Sequence, residues 1–388
     1  MEGILDLQYD YDLIAKVLTP GRLGQASVRT LWRYLPLLPV RGQKRVPPLE
    51  VGGTPLYDAR ALAQTVGMDQ IWLKDESKNP TGSIEDRATA IAVTRALEDN
   101  YSMLTCGSTG NAALSSAALT AAVGLQTTLF VSREAPDGYV AQLLLLGPDV
   151  YVVEGGYEDA VRLSLRAAEE YGWYNRNTAV NPYLIEGEKT VAFELNEQMH
   201  GVAPDCVVVP VAEGSVIAAA WKGYCEMKRL GWISSLPKMI GVQAESAATI
   251  YAAWKEGCDP VAMRPDTIAE SLAVGVPRDW RKAVAAVRDS GGMMVAVSDR
   301  EILQAMHLLG ERSGIIAEPG SAATLAGLVS LLRSRQLPRT ISAVLLIAGG
   351  GLRHSAAAIE AAGKARTVPP DFEQVRMTLQ RALSRTPF

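Results

Sequence analysis

Leu73-Lys74-Asp75-Glu76-Ser77-Lys78-Asn79-Pro80-Thr81-Gly82-Ser83-Ile84-Glu85-Asp86-Arg87 carries the chain from an apolar run, through a loop, into a helix-like segment. Residues 70–73 read as a buried strand. Ser83, followed by a charged turn, marks a helix start, and 86–97 has the amphipathic pattern of a helix. The same alternation continues outward. Further strand-like runs are 102–106, 127–131, 150–153, 206–211, 238–243 and 343–348. Between them lie helix-like segments at 111–123, 157–171, 189–199, 216–230 and 298–311. Ser298-Asp299-Arg300-Glu301 has the form of a capping box. Strand and helix signals in alternation predict an α/β fold with parallel sheets.

The bulk numbers bound the function. The chain has 388 residues, of which 48% are hydrophobic and 21% charged, so it has enough apolar material for one large or two ordinary domains. A net charge of −4 gives no general attraction to nucleic acid or to an anionic membrane. Cys106, Cys206, Cys225 and Cys258 form no C-x-x-C pair, which argues against a zinc site or a disulfide framework and suits a reducing cytoplasm. His200, His307 and His354 show no metal-binding spacing, so no metal is expected. Met1-Glu2-Gly3-Ile4-Leu5-Asp6 lacks a secretory pattern, and no apolar run reaches membrane-spanning length. The Pro-rich segment 35–48 reads as an extended connector behind an N-terminal arm.

The opening stretch resembles the cofactor-lysine motif of threonine synthase and its relatives, L-K-D-E-S-x-N-P-T-G-S-F-K-D-R. Other blocks agree in order: Gly52-Gly53-Thr54-Pro55-Leu56, Ser108-Thr109-Gly110-Asn111, Asn181-Pro182-Tyr183 with Glu186-Gly187-Glu188-Lys189-Thr190, Thr267-Ile268-Ala269-Glu270-Ser271, and Glu318-Pro319-Gly320-Ser321-Ala322-Ala323. The resemblance implies the fold of the type II pyridoxal-phosphate enzymes (tryptophan synthase β-like), two α/β domains with the active site between them. It places an arm and connector at 1–48 and the body at 49–388. Within that body a smaller domain is expected around 86–190, with a larger one from the remainder. It also implies a homodimer.

Three positions depart from the family pattern, and all concern one ligand. The resemblance implies a lysine, bound to pyridoxal phosphate, where Glu85 stands. A carboxylate has no amine to condense with the aldehyde. Pro210-Val211-Ala212-Glu213-Gly214-Ser215 stands in place of a Gly/Asn-rich loop whose N–H groups cradle the phosphate. Glu213 would oppose that dianion by roughly 4 kcal/mol per charge pair at about 4 Å and an effective dielectric of 20. Ile347-Ala348-Gly349-Gly350-Gly351-Leu352 has Ala348 where relatives carry the hydroxyl that meets the ring nitrogen.

The departures lead to the expectation of a homologue without cofactor. In this expectation Glu85 and Glu213 do acid/base chemistry (elimination, dehydration, cyclisation or isomerisation) on a small carboxylate-bearing, amino-acid-like molecule. By resemblance, Ser108, Thr109, Gly110 and Asn111 bind its carboxylate, and Arg87 is offered as a further partner. Glu85, Asn111, Ala212, Glu213, Gly214, Ser215 and Ala348 would line the former cofactor pocket. One alternative is a pyridoxal-phosphate-dependent, threonine synthase-type lyase or a lysine-site variant of one. A second is an inactive binding or partner subunit. Glu188 is read as less telling, His354 as structural, and Cys106 as a packing residue.

Overall fold

The apolar runs pair into two sheets. The computed structural model describes residues 4–108, 110–363, 365, 367–372 and 375–376. Within them lie strands β1 (Leu56–Asp58), β2 (Gln70–Asp75), β3 (Met103–Ser108), β4 (Gln126–Ser132), β5 (Asp149–Val153), β6 (Tyr174–Asn175), β7 (Cys206–Pro210), β8 (Lys238–Ala244), β9 (Met293–Val297) and β10 (Ser342–Ile347). The larger sheet has the order β1-β2-β10-β7-β8-β9 and the smaller β5-β4-β3-β6. Every pairing is parallel except that of β1 with β2, which the sequence reading did not anticipate.

β7 shows why these strands read as unbroken apolar runs. Cys206 and Val208 join one buried cluster, together with Leu325 and Leu328 of the helix Pro319–Arg333. Val207 and Val209 join the opposite cluster, with Ile217 and Tyr224 of the helix Ser215–Arg229. Helices cover both faces, so alternation with polar residues has no place.

The opening stretch behaves differently from its reading in one respect. Its helix runs Glu85–Glu98, with Ile84 at the cap position and no side-chain cap bond. Ser83 does not cap it. The backbone of Ser83 bridges to Gly349, and the Ile84 N–H donates to the Ala348 carbonyl at 2.8 Å. The loop is thereby stitched to the end of β10, which fixes position 85 beside position 348. Ser298, by contrast, forms the expected capping box with Glu301. The segment 35–48 is not simply extended. It lies within and after the 3₁₀ turns Leu31–Leu37 and Gln43–Arg45, with Tyr34 and Leu37 fully buried.

Two buried ion clusters lie beneath this frame. Arg87 donates to Glu76 at 2.6 and 2.9 Å and to Glu194 at 2.7 and 2.8 Å, and Lys74 donates to Glu194 at 2.8 Å. Elsewhere Lys189 pairs with Glu186 and Glu226. The N-terminal arm closes over that pair. The Tyr9 hydroxyl donates to Glu186 at 2.7 Å, the Tyr11 hydroxyl to Glu226 at 3.1 Å, and the Lys189 ammonium sits 4.2 Å from the Tyr9 ring centroid. Among the described residues no helix is long and apolar enough to cross a membrane.

Candidate active site

Parallel strands bring their carboxyl ends to one edge, where open α/β sheets bind ligands. Here Ser108 ends β3, Pro210 ends β7 and Ala348 follows β10. A cavity of about 130 Å³ lies where these ends meet. Glu85, Ser108, Gly110, Asn111, Ala212, Glu213, Gly214, Ser215 and Ala348 all line it. Residues more than two hundred positions apart in sequence thus line one cavity. Thr109 lies outside the described residues.

Arg87 is a correction. The structure does not bring it to the cavity. Its guanidinium is fully buried and committed to Glu76 and Glu194, so it has no free face for a ligand. The reason is local: on the helix Glu85–Glu98, residues 85 and 87 point to different sides, one toward the cavity and one into the core. Cys106 packs as expected. It is buried, and burial pushes its thiol up to about 11.

The Glu85 carboxylate accepts a hydrogen bond from the fully buried Arg176 at 2.6 Å. Behind this pair sits Glu188, fully buried, with neither carboxyl oxygen hydrogen-bonded among the described residues. Burial, and then the charge of Glu85, hold the Glu188 carboxyl well above the usual carboxylate range against the pull of Arg176. It folds as a neutral acid. Glu188→Gln therefore should stabilise the chain at neutral pH. Unfolded Glu188 loses its proton above the ordinary carboxylate pKa, while the folded group keeps it. Each pH unit between the two values costs the native state about 1.4 kcal/mol. The advantage of the variant should vanish below that ordinary pKa. Urea unfolding at pH 4 and pH 7 checks this, and equal gains at both would contradict it.

Glu213 is almost fully buried and does not simply confront an incoming anion. Its carboxylate accepts from the Tyr157 hydroxyl at 2.9 Å and from the Arg278 backbone N–H at 2.7 Å, and it pairs with the Arg278 guanidinium. Burial raises its pKa, and Arg278 pulls the other way. Gly214 follows with φ +100°, and a Cβ there would come within 3.0 Å of the Asp279 carbonyl. Only glycine makes this turn into the helix Ser215–Arg229 without strain.

The sequence reading missed part of the wall. Tyr139, Tyr157, Glu270, Glu318 and His354 also line the cavity. His354, read as structural, has its Nε2 at 3.3 Å from the Tyr139 hydroxyl and 3.4 Å from Glu318 Oε2. Glu270 and Glu318 stood inside quoted blocks, but nothing in their spacing gave them a role. Tyr139, on the helix Asp137–Leu146, carried no signal.

Residues 48–349 match the family model described as pyridoxal-phosphate dependent enzyme. The chain belongs to that family. Within the family it is 36% identical over 381 residues to threonine synthase of Methanocaldococcus jannaschii, covering 97% of this chain and 94% of the relative. It is 37% identical over 350 residues to threonine synthase of Synechocystis, covering 88% of each. Diaminopropionate ammonia lyase of Escherichia coli shares the fold at a TM-score of 0.69 and 22% identity, over 83% of this chain and 88% of that one. Threonine deaminase isoform 2 of Solanum lycopersicum does so at 0.68 and 22%, over 80% and 83%. The type II α/β architecture is that of the family, and its named members are enzymes.

These findings overturn the expectation of a cofactor-free homologue doing acid/base chemistry alone. The matched family is defined by pyridoxal phosphate, and the full-length relatives are threonine synthases. The cofactor reading is corrected from none to pyridoxal phosphate, and the lyase alternative is favoured.

The cavity residues do not fit the group in the lysine-tied form that the motif resemblance implies. No lysine is among the described residues that line the cavity. Lys74 is held by Glu194 and the Thr54 carbonyl, and Lys189 by Glu186 and Glu226. Ala348 offers no polar side-chain atom. The Asn111 side chain is engaged by Glu318 and Tyr139.

Proposed function

We propose that the chain is a threonine synthase-type lyase of amino-acid metabolism, pyridoxal-phosphate-dependent in kind, with Glu85 as a variant at the lysine site. The substrate class is a small, amino-acid-like molecule bearing a carboxylate. The observation that carries the reading is the likeness to threonine synthases across nearly the whole chain. The cavity supports it, because Ser108, Gly110 and Asn111 stand at the start of the helix Asn111–Ala121, where N–H groups and the helix dipole favour an anion.

In this reading Ser108 and Asn111 orient the substrate by its carboxylate, and Arg176 holds the Glu85 carboxylate at the cavity wall. Arg278 balances Glu213, so that a single uncompensated charge does not face the bound molecule. The same proposal takes a homodimer, which light scattering on the purified chain checks, and a reducing cytoplasm suited to the four free cysteines.

The test is turnover of a panel of hydroxylated and phosphorylated amino acids in the presence of pyridoxal phosphate, read as threonine or 2-oxo acid formed. Product from neither the unaltered chain nor Glu85→Lys would sink the reading. In whichever chain is active, Asn111→Ala should raise KM at least tenfold, the worth of one hydrogen bond to a charged acceptor.

A further inference from the structure

Gly110 leads into the helix Asn111–Ala121 without any side-chain cap. The first N–H groups of this helix have no intrahelical partner, and its positive end faces the cavity. An anion already stands there. Glu318, only 2% exposed, accepts from Asn111 Nδ2 at 3.0 Å through Oε2 and from the Ser271 hydroxyl at 2.9 Å through Oε1. Burial alone would raise its pKa, but hydrogen bonds from His354, Asn111 and Ser271 hold it below the usual range, so it is ionised. The chain makes room for this carboxylate: a Cβ on Gly349 would lie 2.5 Å from Glu318 Oε2.

The contact belongs to a ring. Asn111 Oδ1 accepts from the Tyr139 hydroxyl at 3.2 Å, that hydroxyl lies 3.3 Å from His354 Nε2, and the same nitrogen lies 3.4 Å from Glu318. Asn111 and Tyr139 come from helices beside the smaller sheet, and Glu318 and His354 from segments beside the larger one. Glu270 stands 3.9 Å from His354 Nδ1, and Arg353 lies over the Tyr139 ring.

We propose that Glu318 is a resident competitor for the carboxylate loop. It occupies the Asn111 amide that a ligand carboxylate would use, and a ligand binds by taking that amide while Glu318 keeps its contacts to His354 and Ser271. This rests on the reading that the loop at 108–111 receives a carboxylate, and it adds the residue that sets how strongly the loop does so. Two carboxylates repel at one amide. The loop therefore selects anions able to win an exchange, and binding is coupled to rearrangement of a contact between the two sheets.

The experiment is calorimetric titration with propionate and 2-oxobutyrate, which carry a carboxylate and no ammonium. Glu318→Gln should bind both about tenfold tighter than the unaltered chain, and adding Asn111→Ala should remove the gain. His354→Leu, which removes a donor left to the carboxylate once Asn111 is given up, should weaken binding in the unaltered background and have little effect beside Glu318→Gln. Equal or weaker binding by a folded Glu318→Gln, or no binding by either chain, overturns the inference. The titration needs no pyridoxal phosphate. A failure of the lyase reading, seen as no product and no cofactor adduct, is thus distinguishable from a failure of this one.

Discussion

Glu85→Lys is expected to fold and to take up pyridoxal phosphate as a covalent adduct that borohydride fixes at residue 85. The position has what an amine there needs. It opens the helix Glu85–Glu98, lines the cavity and keeps part of its side chain accessible. The Arg176 guanidinium, now 2.6 Å from the carboxylate, would face the new amine instead. Two cations about 4 Å apart repel by roughly 4 kcal/mol at an effective dielectric of 20. That repulsion favours the neutral, nucleophilic amine. Glu188 offers the compensation. It is held neutral partly by the charge of Glu85, and with that charge gone it can ionise beside Arg176. Visible absorption and peptide mass analysis decide the matter, with the unaltered chain as baseline. A folded variant with no adduct would remove position 85 as the lysine site.

Arg87→Met is expected to destabilise the chain by about 3–5 kcal/mol, the range for breaking a buried ion pair from one side. It would strand Glu76 and Glu194, both buried, with Lys74 as their remaining cation. The native network holds both carboxyls below the usual range: burial pushes them up, and Arg87 and Lys74 together more than offset it. Such groups contribute stability above their unfolded pKa and lose it as pH falls through the folded one. The deficit of Arg87→Met should therefore be largest near neutrality and narrow in acid. Glu76→Gln added to it should recover part of the loss, since one stranded charge is removed. Urea unfolding at pH 7 and pH 4 tests both statements. A loss under 1 kcal/mol at pH 7 would show that the cluster relaxes or admits water.

Much of this was legible beforehand because the signals were local. β7 and β10 announced themselves by unbroken apolar runs, and Ser298 and Glu301 by a spacing that geometry enforces. The cavity could be assembled from motifs because each sits at a strand end. What escaped depended on tertiary partners. Ser83 looked like a cap, but its backbone was taken by Gly349. Arg87 looked like a ligand residue, but a place two residues beyond Glu85 on the helix turned it into the core. His354 looked solitary, and only folding set Tyr139 and Glu318 beside it. Glu85, Glu213 and Ala348 depart from the family motif, but likeness along nearly the whole chain says more about kinship than three positions do.

The N-terminal arm has a consequence for how the molecule is made. Tyr9 waits for Glu186, 177 residues later, and Tyr11 for Glu226, 215 residues later. During synthesis Tyr9 and Tyr11 cannot dock until Glu186 and Glu226 have followed them out of the ribosome. The arm is in this sense a late stitch, sewn over Lys189 and the two glutamates that hold it.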